Sequence, residues 1–205
     1  MKFDEHGHAI WTPRTLYDLA KNDPLRLVNH YLMGGTPRAF PDYACYCDFL
    51  EAVADRTGIH PRNLYLRGSC HIGFSIAPKP KVWTAMRSDG PDPSDLDLVI
   101  VDPEYFTRFE RDVRWWEDRN PEGSLQGRAS RDFVRRRQDR QFNYCRDEAL
   151  PASICIHHQD TMRRVAEMKH CGLYRKLSAF VYPDWLSARR RYEYDLQELI
   201  RGVES

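Results

Sequence analysis

The chain lacks most of the features that would place it in a specialised class of protein. Its six cysteines are scattered and form no Cys-x-x-Cys pair, which predicts free thiols in a reducing, cytoplasmic environment. No apolar run approaches the roughly 18 to 20 residues that a membrane-spanning helix needs, and the first residues have no apolar stretch typical of a signal peptide. The net charge is only +1, so no overall field attracts nucleic acid, and we expect no membrane partner.

What the chain does contain is typical of a folded protein with one core. Of its 205 residues, 41% are hydrophobic and 12% are aromatic, and there is no internal repeat or low-complexity tract. Helix starts, glycine caps and apolar spacing predict helices over residues 12–22, 23–33, 40–59, 103–120, 130–148 and 184–202. Gly58 is expected to end the third helix, whose helically spaced side chains are those of Tyr43, Cys47, Leu50, Val53 and Ala54.

Strands are fewer than helices in this pattern, and they are predicted over residues 63–69, 95–102 and 152–160. The count favours an α+β fold, a short mixed β-sheet with helices packed on it and a C-terminal helical annex. We expect one compact unit with N-terminal helices in residues 1–60, a core in 61–160 and C-terminal helices in 161–205. Within the core, residues 77–94 are rich in proline and glycine and predict an inserted loop or flap, a feature that is often functional.

Two aspartates stand one residue apart at the start of the second predicted strand. Successive side chains on a strand point to opposite faces, so Asp95 and Asp97 are expected to share one face while Leu96 and Leu98 face the core. Such a pair alone is often only a solvated strand end. Two adjacent carboxylates nevertheless suit Mg²⁺ or Mn²⁺, which complete their coordination with substrate phosphate oxygens. The pair therefore predicts a metal site that would work together with a nucleoside triphosphate.

A glycine-serine turn ends the strand before this pair and offers a place for phosphate. Gly68 permits close approach, while the Ser69 hydroxyl and the following backbone N–H groups can donate hydrogen bonds. Gly73 adds a second permissive position in the same turn. Ser94, directly before the acidic pair, is also assigned to nucleotide binding.

In this order, "RGSCHIGFS" followed by "SDLDLVIVD" resembles the nucleotidyltransferase superfamily typified by DNA polymerase β, whose signature is hydrophobic-Gly-Ser, a turn with another glycine, then an Asp-x-Asp strand. The resemblance covers about residues 63–102 and implies a sheet of the nucleotidyltransferase type. It implies that Gly68 and Ser69 hold the triphosphate, and that Asp95 and Asp97 are catalytic and bind Mg²⁺ or Mn²⁺. The implied reaction transfers a nucleoside monophosphate to an acceptor and releases pyrophosphate. Small stand-alone members are frequent in toxin–antitoxin and phage-defence systems, so by resemblance such a role is expected.

The chain departs from that pattern in two places. Between Ser69 and Asp95 lie 25 residues, more than is common, so residues 77–94 would be an insertion whose basic side chains could touch phosphates. Many members also carry a third carboxylate on a later strand, and the matching strand over residues 152–160 has no acid at its alternating positions. There His157 could act as the base or as a ligand. Equally, the site could bind a nucleotide without turning it over.

Six arginines between Arg128 and Arg140 form the most basic part of the chain. Spread around a helix, they are typical of a solvated surface with local ion pairs, and alternatively they form a patch that binds RNA or DNA. Three functions therefore remain open. The first is a nucleotidyltransferase, the second a catalytically degenerate nucleotide-sensing or scaffold subunit of a larger complex with a protein partner, and the third a nucleic-acid-binding module.

Overall fold

The structure is a computed structural model that describes residues 3–6, 8–76, 82–87, 94–108, 111, 142–143 and 177–204. Over these residues the chain is α+β, with helices packed on a small mixed β-sheet and a long C-terminal helix, as the sequence predicts. The arginine-rich residues 128–140 and His157 lie outside the described residues. The predictions made for them therefore stay predictions.

The described helices agree with the sequence pattern over the N-terminal third and at the C-terminus. They are α1 (Pro13–Asn22), α2 (Pro24–Leu27), α3 (Tyr43–Thr57), α4 (Ser69–Ile72), α5 (residues 103–108) and α6 (Trp185–Glu204). A π-helical turn, Val28–Leu32, continues α2, so the predicted helix over residues 23–33 changes its winding halfway. The single turn α4 and a 3-10 helical turn at Pro61–Asn63 are absent from the sequence prediction.

Local chemistry explains where these helices begin and end. The side-chain oxygens of Thr12, Asp23 and Asp42 each accept a hydrogen bond from a first-turn backbone N–H, which satisfies a donor without a helical partner. Gly58 ends α3 at a φ of 71°, as predicted. The helical spacing predicted for α3 matches its buried face only in part: Val53 and Ala54 are buried, but Tyr43 is 62% exposed because the helix turns a neighbouring face towards the aromatic ring of Phe40. Its buried side chains are Tyr46, Phe49, Val53 and Ala54.

Four strands form one mixed sheet in the order β1-β2-β4-β3. They are β1 (Leu64–Arg67), β2 (Leu96–Val101), β3 (Phe142–Asn143) and β4 (Leu177–Tyr182). β1 pairs antiparallel with β2, β2 pairs parallel with β4, and β3 pairs antiparallel with β4. The central position of β2 explains its continuous apolar run, because side chains on both of its faces are buried.

The structure corrects two predictions in the C-terminal half. Phe142–Asn143 pair with β4 as a strand, which contradicts a continuous helix over residues 130–148. Local helical spacing carries no information about a partner strand that is distant in sequence. The strand parallel to β2 is Leu177–Tyr182, which the sequence reading missed, and not the segment 152–160. Residues 152–160 themselves lie outside the described residues.

The sheet separates two hydrophobic cores. We call the side covered by α3 the α3 face, where β1, β2 and β4 contribute Leu64, Leu66, Leu96, Leu98, Ile100, Leu177, Ala179 and Val181. We call the side covered by α1, α2 and α6 the α6 face, where the sheet contributes Tyr65, Val99, Val101, Phe180 and Tyr182. Alternation along each strand thus places aliphatic side chains on one face and most of the aromatic ones on the other.

The segment predicted as a loop over residues 77–94 is in part folded back beside the turn that follows β1. The backbone of Ser75 exchanges hydrogen bonds with Trp83 and Thr84, both at 2.8 Å, and Phe74 forms a bridge with Ala85. The Trp83 ring also packs edge-on against Phe74, with centroids 5.6 Å apart. Residues 82–87 are therefore anchored next to the candidate site, while residues 77–81 and 88–93 lie outside the described residues.

Two predictions drawn from composition can be compared with the described part of the chain. Its three cysteines, Cys45, Cys47 and Cys70, form no disulfide. Among its helices, none has the length and apolar character needed to span a bilayer.

Candidate functional site

The turn after β1 is built around a glycine in a conformation that other residues rarely adopt. Gly68 has φ 71° and ψ −151°, a region that is essentially restricted to glycine. It allows the strand to end at Arg67 and the helical turn α4 to begin immediately at Ser69. A second glycine, Gly73, ends α4 at a φ of 95°. Both glycines that the sequence singled out therefore serve the backbone of this turn.

Gly68 lies directly against the carboxylate of Asp97. A Cβ atom built on Gly68 would lie 2.8 Å from Oδ2 of Asp97, closer than real Cβ contacts allow. The pairing of the strands explains this proximity, since Arg67 is the register partner of Asp97 on β2. The glycine-serine turn and the acidic strand, 25 residues apart in sequence, thus meet at one end of the sheet.

The acidic pair follows the alternation that the sequence predicts. Asp95 and Asp97 are both half-buried, whereas Leu96 between them and Leu98 after them are buried in the core of the α3 face. Asp97 therefore belongs to the α6 face of the sheet and stands beside the turn that contains Gly68. Asp95 lies one residue before β2, so its place on the same face stays a prediction from strand alternation.

The remaining predicted site residues occupy different surroundings. Ser69 is half-buried at the first position of α4, next to Gly68. Gly73 lies at the other end of that turn, where the nearest side chain is that of Arg38, 3.6 Å from a built Cβ. The Ser94 hydroxyl accepts a hydrogen bond from the Arg87 backbone N–H at 3.0 Å, and the Ser94 N–H donates to the Arg87 carbonyl at 3.0 Å. Ser94 thus joins the two described ends that flank residues 88–93.

An arginine that the sequence reading left out lies beside the acidic pair. The side chain of Arg67 is only 11% exposed and forms an ion pair with Asp195 of α6. It donates a hydrogen bond of 3.3 Å to the hydroxyl of Tyr182, and its guanidinium carbon lies 4.8 Å from the ring centroids of both Phe180 and Tyr192. Contacts on several sides hold this guanidinium in one place.

The neighbours of Arg67 keep its guanidinium group protonated. Burial by itself would lower the pKa of the guanidinium, but the phenols of Tyr182 and Tyr192 and the carboxylates of Asp195 and Asp97 outweigh it, so that the pKa lies well above its usual value. Arg67 is therefore a permanent cation next to two carboxylates. A signal for it existed in the sequence, because a lone charged residue ends the apolar stretch "LYLR" directly before the glycine.

The position beside Asp97 on the neighbouring strand is occupied by a serine. Ser178 of β4 is the register partner of Asp97, and the next positions in phase with it are Phe180 and Tyr182. The described part of β4 therefore supplies no third carboxylate next to the acidic pair. His157, the residue predicted to substitute for it, lies outside the described residues.

The donor set of the site fits a hard divalent cation that is shared with a substrate. Two aspartates are too few for a complete protein cage, and no cluster of three or more His, Cys, Asp or Glu side chains suited to a metal occurs among the described residues. Mg²⁺ commonly binds through one or two carboxylates and takes its other ligands from phosphate and water. Asp95 and Asp97 match that pattern, and the absence of a side chain at Gly68 lets the Asp97 carboxylate lie directly against the turn.

Comparison with known proteins gives no match for this chain among family models, curated proteins or solved structures. The resemblance of residues 63–102 to the nucleotidyltransferase signature therefore stays a prediction, and it depends on the residues of this chain and on their geometry. The contact between Gly68 and Asp97 is the most specific part of that geometry.

Proposed function

We propose that this chain is a metal-dependent nucleotidyltransferase that transfers a nucleoside monophosphate from a nucleoside triphosphate to a hydroxyl acceptor. The observation that carries the proposal is the contact between Gly68 and the Asp97 carboxylate. It brings a turn suited to phosphate against one of two in-phase acids suited to Mg²⁺. The order of these features along the chain is also that of the superfamily signature.

In the proposed reaction the acceptor oxygen attacks the α-phosphorus and pyrophosphate leaves. Asp95 and Asp97 would hold the divalent ion, whose charge stabilises the attacking and leaving oxygens of such a displacement. Gly68 admits the phosphates close to the backbone, and the Ser69 hydroxyl donates a hydrogen bond to them. His157 is assigned as the base that accepts the proton of the acceptor hydroxyl. Positioning and charge neutralisation provide most of the catalysis in phosphoryl transfer, so a small site suffices.

The test is transfer of label from α-labelled ATP, GTP, CTP and UTP to protein, RNA and small-molecule acceptors in the presence of Mg²⁺ or Mn²⁺. We expect metal-dependent transfer by the wild type and its loss in the Asp95→Asn/Asp97→Asn variant, which keeps side-chain size but removes charge. The matched control is Asp102→Asn at the opposite end of β2, where the carboxylate only caps α5 by accepting from the Tyr105 N–H at 2.8 Å. Transfer that survives in the double variant would contradict the proposal.

A second candidate function is a nucleotide-sensing subunit of a larger complex that binds a triphosphate without turning it over. The observation that favours it is Ser178, which stands in register with Asp97 where a third acid would complete the site. Metal-dependent triphosphate binding that is lost in Asp97→Asn, together with no transfer to any acceptor, would support this candidate over the first. The acceptor, a role in toxin–antitoxin or defence systems and RNA or DNA binding by residues 128–140 stay predictions.

A further inference from the structure

Burying the charge of Arg67 costs desolvation free energy, and the packing of the protein does not require a charged residue at this position. Its side chain is 11% exposed and lies among Phe180, Tyr182 and Tyr192, where an apolar residue of similar length could pack. Buried ion pairs are often no more stabilising than well-packed apolar side chains of the same volume. The pair of Arg67 with Asp195 is therefore better explained by what its charge does nearby.

The charge acts on the acidic pair, because Arg67 is the register partner of Asp97 and immediately precedes Gly68. Charged side chains around this point come from three elements: Arg67 from β1, Asp97 from β2, and Asp195 with Arg191 from α6. Asp95 directly precedes β2. Two adjacent carboxylates repel each other and would also repel an approaching triphosphate. A fixed cation between these acids and α6 offsets both repulsions.

We infer that Arg67, held in place by Asp195, is the fixed counter-charge of the Asp95–Asp97 pair and makes metal binding there depend on the triphosphate. The inference rests on the proposed function. A permanent positive charge weakens the binding of a bare divalent cation and strengthens the binding of an anionic metal–triphosphate complex. Arg67 would thus favour loading of metal and nucleotide together over loading of metal alone. It acts through Asp97 and through the field of the site, so it is a positioning residue.

The experiment compares Mn²⁺ binding without nucleotide and Mg²⁺–ATP binding, both by titration calorimetry, in the wild type and in Arg67→Gln. The single variant removes one positive charge and leaves Asp195 paired with Arg191 at 2.9 Å, whereas replacing Asp195 as well would cancel the change in net charge and leave Arg191 without this partner. We expect the single variant to bind Mn²⁺ about tenfold more tightly and Mg²⁺–ATP about tenfold more weakly than the wild type. Arg67→Lys keeps the charge and is expected to leave both affinities close to those of the wild type.

The matched control is Arg201→Gln, which removes an exposed arginine paired with Glu198 on the same helix and should change neither affinity. The opposite signs of the two changes separate an electrostatic role from a structural one, because a loosened site would lose both ligands together. If both affinities fall, or neither changes, the inference about Arg67 is wrong while the proposed function stands. If the wild type binds no Mg²⁺–ATP, or if Asp97→Asn binds it as tightly as the wild type does, both the function and the inference are wrong.

Discussion

The two faces of the central sheet differ in chemistry although the same strands build them. On the α3 face, β1, β2 and β4 present leucine, isoleucine, valine and alanine to α3. On the α6 face, the same strands present Tyr65, Tyr182 and Phe180 together with Arg67 and Asp97, and α6 adds Tyr192 and Asp195. The strands thus present aliphatic side chains on one face, whereas on the other they combine aromatic packing with a buried group of charges.

The two faces therefore have different roles: the α3 face mainly stabilises the fold, and the α6 face positions the charged residues of the candidate site. Aliphatic side chains pack in many sequence combinations and need only the right volume and pattern. Buried charges are stable only when their partners are placed correctly, so the α6 face fixes specific distances between specific residues. The candidate site lies where the charged part of this face meets the turn at Gly68.

The largest effect is expected from truncation on the aliphatic face. Leu98 is fully buried in the central strand, and Leu98→Ala should lower the free energy of unfolding by about 3 kcal/mol through lost burial and a cavity. Urea unfolding followed by circular dichroism measures this change. A loss below about 1 kcal/mol would contradict the description of this face as the tightly packed core.

A smaller loss of stability with a larger loss of function is expected at the turn. Gly68→Ala should cost about 2 kcal/mol through backbone strain, and the added methyl group must displace Asp97, so that transfer activity is lost. Gly58→Ala is the matched control, since Gly58 has the same φ of 71° but no atom within 4 Å of a built Cβ. It should cost about 1 kcal/mol and leave activity unchanged. Equal activity in the two variants would contradict the role of the turn.

Two buried tyrosines on the α6 face allow a sharper test of how polar groups are satisfied there. The Tyr182 hydroxyl accepts the hydrogen bond from Arg67, so Tyr182→Phe should lower the free energy of unfolding by about 1 kcal/mol. The Tyr65 hydroxyl is buried without a hydrogen-bond partner in the described part of the chain, so Tyr65→Phe should be neutral or stabilising. Chemical unfolding of both variants gives the comparison. A larger loss of unfolding free energy for Tyr65→Phe than for Tyr182→Phe would contradict this description of the two hydroxyls.

The smallest effect is expected at a surface carboxylate and depends on pH. Burial alone would raise the pKa of Asp4, but hydrogen bonds from His8 and His6 outweigh it and hold the pKa at about 2, below the ordinary 3.8. A lowered pKa in the folded state means that ionised Asp4 stabilises the protein above about pH 4, and that this contribution is lost as the pH falls towards 2. Asp4→Asn should therefore lower the melting temperature at pH 7, where Arg38 also pairs with Asp4 at 2.5 Å, and have little effect near pH 2.

The control for this pH series is Asp18→Asn, which removes an exposed pair with Arg14. Exposed pairs contribute little, so its melting temperature should follow the wild type across the series. A difference between wild type and Asp4→Asn that stays constant from pH 7 to pH 2 would show that the lowered pKa of Asp4 has no part in stability.

The sequence predicted those elements whose signals are local. Capping residues and Gly58 predicted the N-terminal helices, and the unbroken apolar run of β2 predicted a strand that is buried on both faces. Alternation predicted a shared face for Asp95 and Asp97, of which Asp97 lies on the α6 face. Where the signal is not local, the predictions were wrong or incomplete: the buried face of α3, the strand at Phe142–Asn143, and the place of Leu177–Tyr182 beside β2. Each of these depends on a partner that is distant in sequence.

The sequence by itself determined that Gly68 would tolerate a tight turn and that the two acids would lie in phase, because backbone freedom and strand alternation are properties of neighbouring residues. Only the tertiary structure decided that this turn meets Asp97, that Ser178 stands beside it, and that Arg67 is held by Asp195 within reach of the pair. Those contacts join β1, β2, β4 and α6, and side chains from separate elements acquire fixed distances only when the elements pack together.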